Sequence, residues 1–240
     1  PASDLIDMEI SVVIDAIDIT PNNVKIIPYI TLGQRFMDGT FIMRLGVIGD
    51  VVRNSWQSLR MDNPYIGPNA ETSNTSYYNY YFEADFAVMN NMDLGFGISY
   101  RTFENAPIFM IDSSYMLNNV YKPIYVDYNL LQLGARFNYR LSEDLNVGLI
   151  ANYYNYDLSD NSSIEEVLYK PNFDINLKVL YSYGDKLKFS LNALVLGNMN
   201  GLYFADRQVY YEKMPLKYGV DLKAEYQYMK ALSFFVRFDN

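Results

Sequence analysis

The sequence has no cysteine, no histidine and a single tryptophan in 240 residues. Without cysteine there are no disulfides, thiolate metal sites or cysteine nucleophiles. Without histidine the usual general base and the commonest metal ligand are missing, which excludes His-dependent triads, zinc hydrolases and phosphohistidine chemistry. Long apolar runs are lacking too. No stretch reaches the roughly 20 apolar residues a spanning helix requires, and mean hydropathy is -0.11, so a helical membrane protein is excluded. Cations are outnumbered, 19 Lys and Arg against 28 Asp and Glu, for a net charge of -9. Nucleic acid is therefore not an expected partner, because phosphate binding needs clustered Lys and Arg.

Aromatic residues are abundant instead: 24 Tyr and 14 Phe, a composition that suits strands or a membrane-water boundary. The apolar residues recur at period two. Tyr80, Phe82, Ala84, Phe86 and Val88 share one face while Glu83 and Asp85 share the other, and Leu94, Phe96, Ile98 and Tyr100 repeat the rule after a tight turn. Leu131 to Tyr139 with Leu145 to Tyr153 make another hairpin, as do Phe173 to Tyr181 with Leu187 to Val195, and Val220 to Tyr228 with Leu232 to Phe238. Earlier, Asp38-Gly39 joins Val24 to Leu32 with Phe41 to Val47. A helix would scatter residues spaced i, i+2 and i+4 around its axis.

About ten strands follow, eleven with Met8 to Ile19, each near the roughly 9–11 residues that cross a bilayer on a tilt. Short turns near residues 38, 91, 143, 185 and 230 alternate with long connections at 50–77, 102–127, 157–170 and 197–216. This asymmetry predicts an all-β fold: an antiparallel transmembrane β-barrel of the outer membrane, an up-and-down meander with short periplasmic turns and long extracellular loops. Mean hydropathy does not oppose it, since only alternate residues face lipid. The polar face carries Arg136, Lys178, Lys223, Glu83, Asp85, Asp174 and Glu225, which suit a hydrated lumen and equally a solvated outer face. Tyr100, Tyr139, Tyr153, Tyr181, Tyr226 and Tyr228, at strand ends on the apolar face, fit an interfacial girdle.

The chain reads as one barrel region over residues 1–240. Its end at Val236-Arg237-Phe238-Asp239-Asn240, in or just after a strand, suggests the C-terminal part of a larger barrel truncated at its end, although ten strands can also close alone.

No catalytic, cofactor or metal residues are assigned, and no enzyme activity is expected. Asp157, Asp160, Asn161, Glu165 and Glu166 supply oxygens that suit Ca²⁺, but the spacing lacks the pattern of a calcium loop, so a solvated acidic loop is the simpler reading. Ser113-Ser114 has no base to activate it. Trp56, Tyr65, Tyr77, Tyr78, Phe103, Phe109, Tyr115 and Tyr121 crowd the long connections and are the candidate contacts for a ligand or partner; packing of the loops on one another would explain them as well.

Asn63-Pro64-Tyr65, Phe103-Glu104-Asn105-Ala106-Pro107-Ile108-Phe109, Asp127-Tyr128-Asn129-Leu130-Leu131, Lys170-Pro171-Asn172-Phe173-Asp174 and Ala231 to Asn240 together resemble the C-terminal barrel region of TonB-dependent-receptor-like outer-membrane proteins of the Bacteroidota. The resemblance spans roughly residues 24 to 240. It implies nutrient uptake or binding at the cell surface without catalysis, with outer-membrane lipid around the barrel and a surface lipoprotein as a possible partner. No plug and no TonB-contacting segment can be read here. The alternative is a plugless accessory or structural barrel subunit of an outer-membrane assembly or secretion machine, contacting other outer-membrane subunits.

Overall fold

The computed structural model describes residues 6–16, 24–68, 70–112, 114–115, 120–159, 164–184, 186–205 and 208–240. Strands β1 (Ile6–Ala16), β2 (Val24–Phe36), β3 (Phe41–Arg53), β4 (Asn74–Met89), β5 (Met92–Ile111), β6 (Tyr121–Arg140), β7 (Leu145–Leu158), β8 (Phe173–Tyr183) and β9 (Leu187–Leu196) follow one another in the chain. The small pair β10 (Met199–Ala205) and β11 (Gln208–Met214) comes next, then β12 (Lys217–Met229) and β13 (Leu232–Phe238). One helix, α1 (Trp56–Asp62), lies in the β3–β4 connection.

Eleven strands form one antiparallel sheet in the order β1 to β9, then β12 and β13, with β10 and β11 paired apart from it as a hairpin. This is the antiparallel meander that the alternation predicts. The tight turns lie at one end of the sheet, and local chemistry explains them. Asp38 and Gly39 take positive φ values of 55° and 88°, a conformation Gly adopts freely and Asp tolerates. No helix of the described residues is long and apolar enough to cross a membrane, which says nothing about strands.

At the other end the connections differ from the expected open loops. Residues 102–127 do not form a long loop: β5 and β6 run 20 residues each and narrow the connection to 112–120. The alternation continues past a bulge. Phe103 pairs Tyr128 and Ala106 pairs Val126, so three steps on β5 oppose two on β6, and Asn105 absorbs the extra residue at φ 54°. Asn105 N–H donates to Asp127 Oδ1 at 2.7 Å, and Asn105 O accepts from Thr75 Oγ1 at 2.7 Å. The bulge returns Ala106 and Ile108 to the face that Phe103 occupies.

That two-stranded extension carries its own core. Ala106, Ile108, Val126, Tyr128 and Leu130 pack with Ile164, Val167 and Leu168 of the β7–β8 connection and with Leu202 of β10. Burying a side chain such as Ile108 contributes about 1.5–3 kcal/mol. The 164–169 segment is tied to β10 by the Leu168–Asn200 bridge, and Tyr65 to Gly67 pair in parallel with Tyr121 at the free edge of β6. Ser55 and Ser58 close a reciprocal cap at the start of α1, and Leu59 is fully buried beneath it. Asp112 turns the chain after β5 by accepting from Ser114 Oγ at 2.7 Å and from Ser114 N–H at 3.1 Å, which holds its carboxyl below the usual range.

Candidate functional site: the polar groove of the sheet

Two adjacent cross-strand rows define the two faces. Leu45, Phe82, Ile98, Leu133 and Tyr153 are successive register partners from β3 to β7, and each is 37% to 49% exposed. One residue along lies Arg44, Glu83, Gly97, Gly134, Asn152 and Asp174, again successive partners, now polar or glycine throughout. The apolar row is thus as open as the polar face, where the Arg44, Glu83 and Arg136 side chains are 37%, 43% and 49% exposed. A contiguous exposed apolar band of this extent marks contact with lipid or another apolar surface, and it rules out the soluble barrel, in which the apolar rows would be packed inside.

The polar face forms a groove of about 470 Å³ across β3 to β7. Its floor is low because glycines replace side chains on β5 and β6. At Gly95 a Cβ would lie 2.7 Å from Asp85 Oδ1 and 3.0 Å from Arg136 Nε, so glycine there lets an ion pair pass over the strand. Arg136 Nη2 reaches Asp85 Oδ1 at 2.5 Å, and Arg44 reaches Asp85 Oδ2 at 2.5 Å and Glu83 Oε2 at 3.2 Å. All four groups remain partly in water, so each pair contributes about 0–1 kcal/mol, and their value is to fix side-chain positions.

A second network runs along the row from β6 to β8. Gln132 Nε2 donates to Asn152 Oδ1 at 3.2 Å, Asn152 Nδ2 to Asp174 Oδ2 at 3.0 Å, and Tyr154 O–H to Asp174 Oδ1 at 2.6 Å. Arg101 Nε donates to Asn79 Oδ1 at 3.3 Å. Beyond Arg101 the same face becomes aromatic. Tyr77 and Phe103 lie 5.4 Å apart, Phe103 and Tyr128 stack at 4.7 Å, and Tyr128 and Tyr156 follow at 6.1 Å. This ladder, whose Tyr128 belongs to the outer core, ends the hydrated groove on that side.

The eight aromatic candidates fall into different settings. Trp56 and Tyr65 are exposed near α1, at 40% and 66%, with Arg60 over the Trp56 ring at 4.8 Å. Tyr115 is half-buried in the turn after Asp112. Their expected loop positions need correction for five residues: Tyr77 and Tyr78 lie on β4, Phe103 and Phe109 on β5, and Tyr121 at the start of β6. Phe103 and Tyr121 pack on the outer core. The cause is the continued strand pairing past residue 102. Of the acidic loop, Asp160 and Asn161 lie outside the described residues, as does Ser113, while Glu165 and Glu166 are exposed. Among the described residues no group of three or more acidic side chains is placed to hold a metal ion.

Arg44, Asn79, Arg101 and Tyr154 were not among the sequence candidates. Alternation puts each on the polar face, but which residues meet across strands depends on register, which the tight turns fix.

Solved structures share this arrangement of strands. The pyoverdine outer membrane receptor FpvA from Pseudomonas aeruginosa PAO1 matches with a TM-score of 0.63 at 15% identity, over 90% of this chain and 31% of its own. A mutant of the ferric enterobactin receptor PfeA from P. aeruginosa matches at 0.64 and 13% identity, over 91% of this chain and 35% of its own. The copper transporter OprC matches at 0.61 and 13% identity, over 90% and 34%. The fold is that of part of an outer-membrane β-barrel. This chain spans about a third of the length of those receptors. No protein-family profile and no curated protein sequence matches it.

Proposed function

We propose that the chain forms part of the wall of an outer-membrane receptor of the TonB-dependent type, which binds or imports a nutrient at the cell surface without catalysis. The observation that carries this reading is the pair of neighbouring rows, one apolar and exposed and the other polar and salt-bridged, within a sheet shared with receptor barrels. Such a wall turns its apolar rows to lipid and its polar rows to a hydrated lumen. The long connections then face outward and the tight turns face the periplasm. The cargoes named for the neighbours, pyoverdine, ferric enterobactin and copper, make metal ions and their chelates the first solutes to test. The Bacteroidota assignment rests on the sequence motifs alone.

One observation favours a second reading, a barrel that serves as a subunit of an outer-membrane assembly. Met61, Tyr65 and Trp56 are exposed together at the outer end, with Met61 at 80%, and exposed aromatic and Met side chains suit protein contact. A surface lipoprotein or another outer-membrane subunit would fit there.

The two readings separate in cells lacking the gene. Under the first, uptake of at least one solute from a panel of ferric chelates, copper and oligosaccharides falls, and complementation restores it. Unchanged uptake of every solute, with outer-membrane subunits co-purifying in fixed ratio, selects the second.

A further inference from the structure

The groove holds three arginines, and two of them are neutralised by the protein. Arg44 and Arg136 share Asp85, and Arg44 also holds Glu83. Arg101 has no carboxylate within ion-pair distance among the described residues, and its side-chain hydrogen bond goes to Asn79 Oδ1. Asn79 spends its carbonyl on that bond, which leaves its amide N–H groups to the groove. Ser99, two residues before Arg101 on the same face, keeps its hydroxyl shielded beneath the groove surface, so it offers no donor to a solute. Two further carboxylates on this face are engaged elsewhere: Asp50 of β3 accepts from Tyr77 O–H at 3.5 Å, and Asp174 of β8 is held by Asn152 and Tyr154. Gly97 adds depth rather than packing, since a Cβ there would meet nothing closer than 3.8 Å. Donor capacity and one uncompensated positive charge thus converge on an open, hydrated corner, in a chain whose net charge is -9.

We propose that the corner formed by Arg101 and Asn79 is an oxyanion subsite that takes a phosphate or carboxylate group of a small free solute in the groove. A planar guanidinium beside amide donors matches the acceptor geometry of such groups. The proposal stands on the groove itself and does not require that the barrel import anything.

The test titrates inorganic phosphate into the detergent-purified chain by calorimetry, with heat-modifiable gel migration as the check on folding. Native protein is expected to bind saturably. Arg101→Gln should weaken binding by about tenfold or more, because a charge-assisted hydrogen bond is lost. Asn79→Asp, nearly isosteric, places an internal carboxylate against Arg101 and should abolish binding even if Arg101→Gln fails to fold. Lys178→Gln removes a cation on the polar face of β8, outside the groove, and should change affinity by less than about threefold, as expected for a screened distant charge. The proposal is overturned if the native chain shows no saturable binding, if Asn79→Asp binds like native protein, or if Lys178→Gln weakens binding as much as the groove variants.

Discussion

Gln132 and Leu133 are neighbours in sequence and meet different surroundings. Gln132 lines the groove and donates to Asn152, while Leu133 stands 44% exposed in the apolar row between Ile98 and Tyr153. In a bilayer, Leu133→Arg should therefore cost about 2–4 kcal/mol and Gln132→Arg little, measured as the urea midpoint of refolding into lipid vesicles. Equal costs would mean that neither face meets hydrocarbon. This contrast was legible in the sequence, because period-two alternation assigns a face to each residue without knowledge of its partners. The contacts of Asp85 were not legible. Its two arginines lie 41 and 51 positions away, Arg44 on the adjacent β3 and Arg136 on β6, and Arg136 meets it only because Gly95 leaves room to cross β5.

At the scale of elements, β5 and β6 do more than span a membrane. Twenty residues at about 3.3 Å each are roughly twice what a bilayer needs, so their outer halves form a ribbon that stands beyond it. The ribbon holds through Ile108, 2% exposed, and the groups packed around it. Ile108→Ala should cost about 2–4 kcal/mol in that local unit and expose residues 103–128 to protease, while heat-modifiable migration of the barrel persists. Loss of both together would mean that ribbon and barrel fold as one unit. Sequence reading ended these strands near residue 102 for identifiable reasons. The bulge at Asn105 shifts the phase of alternation, and Pro107 and Pro123 lack the N–H that a central strand donates. Both prolines are tolerated because β4 pairs with β5 only as far as Glu104 and β7 with β6 only from Tyr128, so beyond those points each ribbon strand has a free edge. The turns at Asp38-Gly39 and Asn90-Asn91 were legible, since short hairpin turns depend on local residue chemistry.

For the whole molecule, the eleven-stranded sheet is about half of the roughly 22 strands of plugged outer-membrane transporters. β1 and β13 each pair on one side only, and hydrocarbon does not tolerate unpaired backbone groups. In a membrane these edges pair, with each other or with further strands. The central claim, that the apolar rows meet lipid and the polar rows meet water, is open to direct measurement because the native chain contains no cysteine. Single cysteines placed in turn at residues 131 to 138 of β6 and spin-labelled in lipid bilayers report their surroundings by collision with oxygen or with a water-soluble nickel complex. The account predicts strict alternation: oxygen contact highest at Leu131, Leu133, Ala135 and Phe137, and nickel contact highest at Gln132, Gly134, Arg136 and Asn138. Nickel contact along the apolar positions, or no alternation at all, would contradict it.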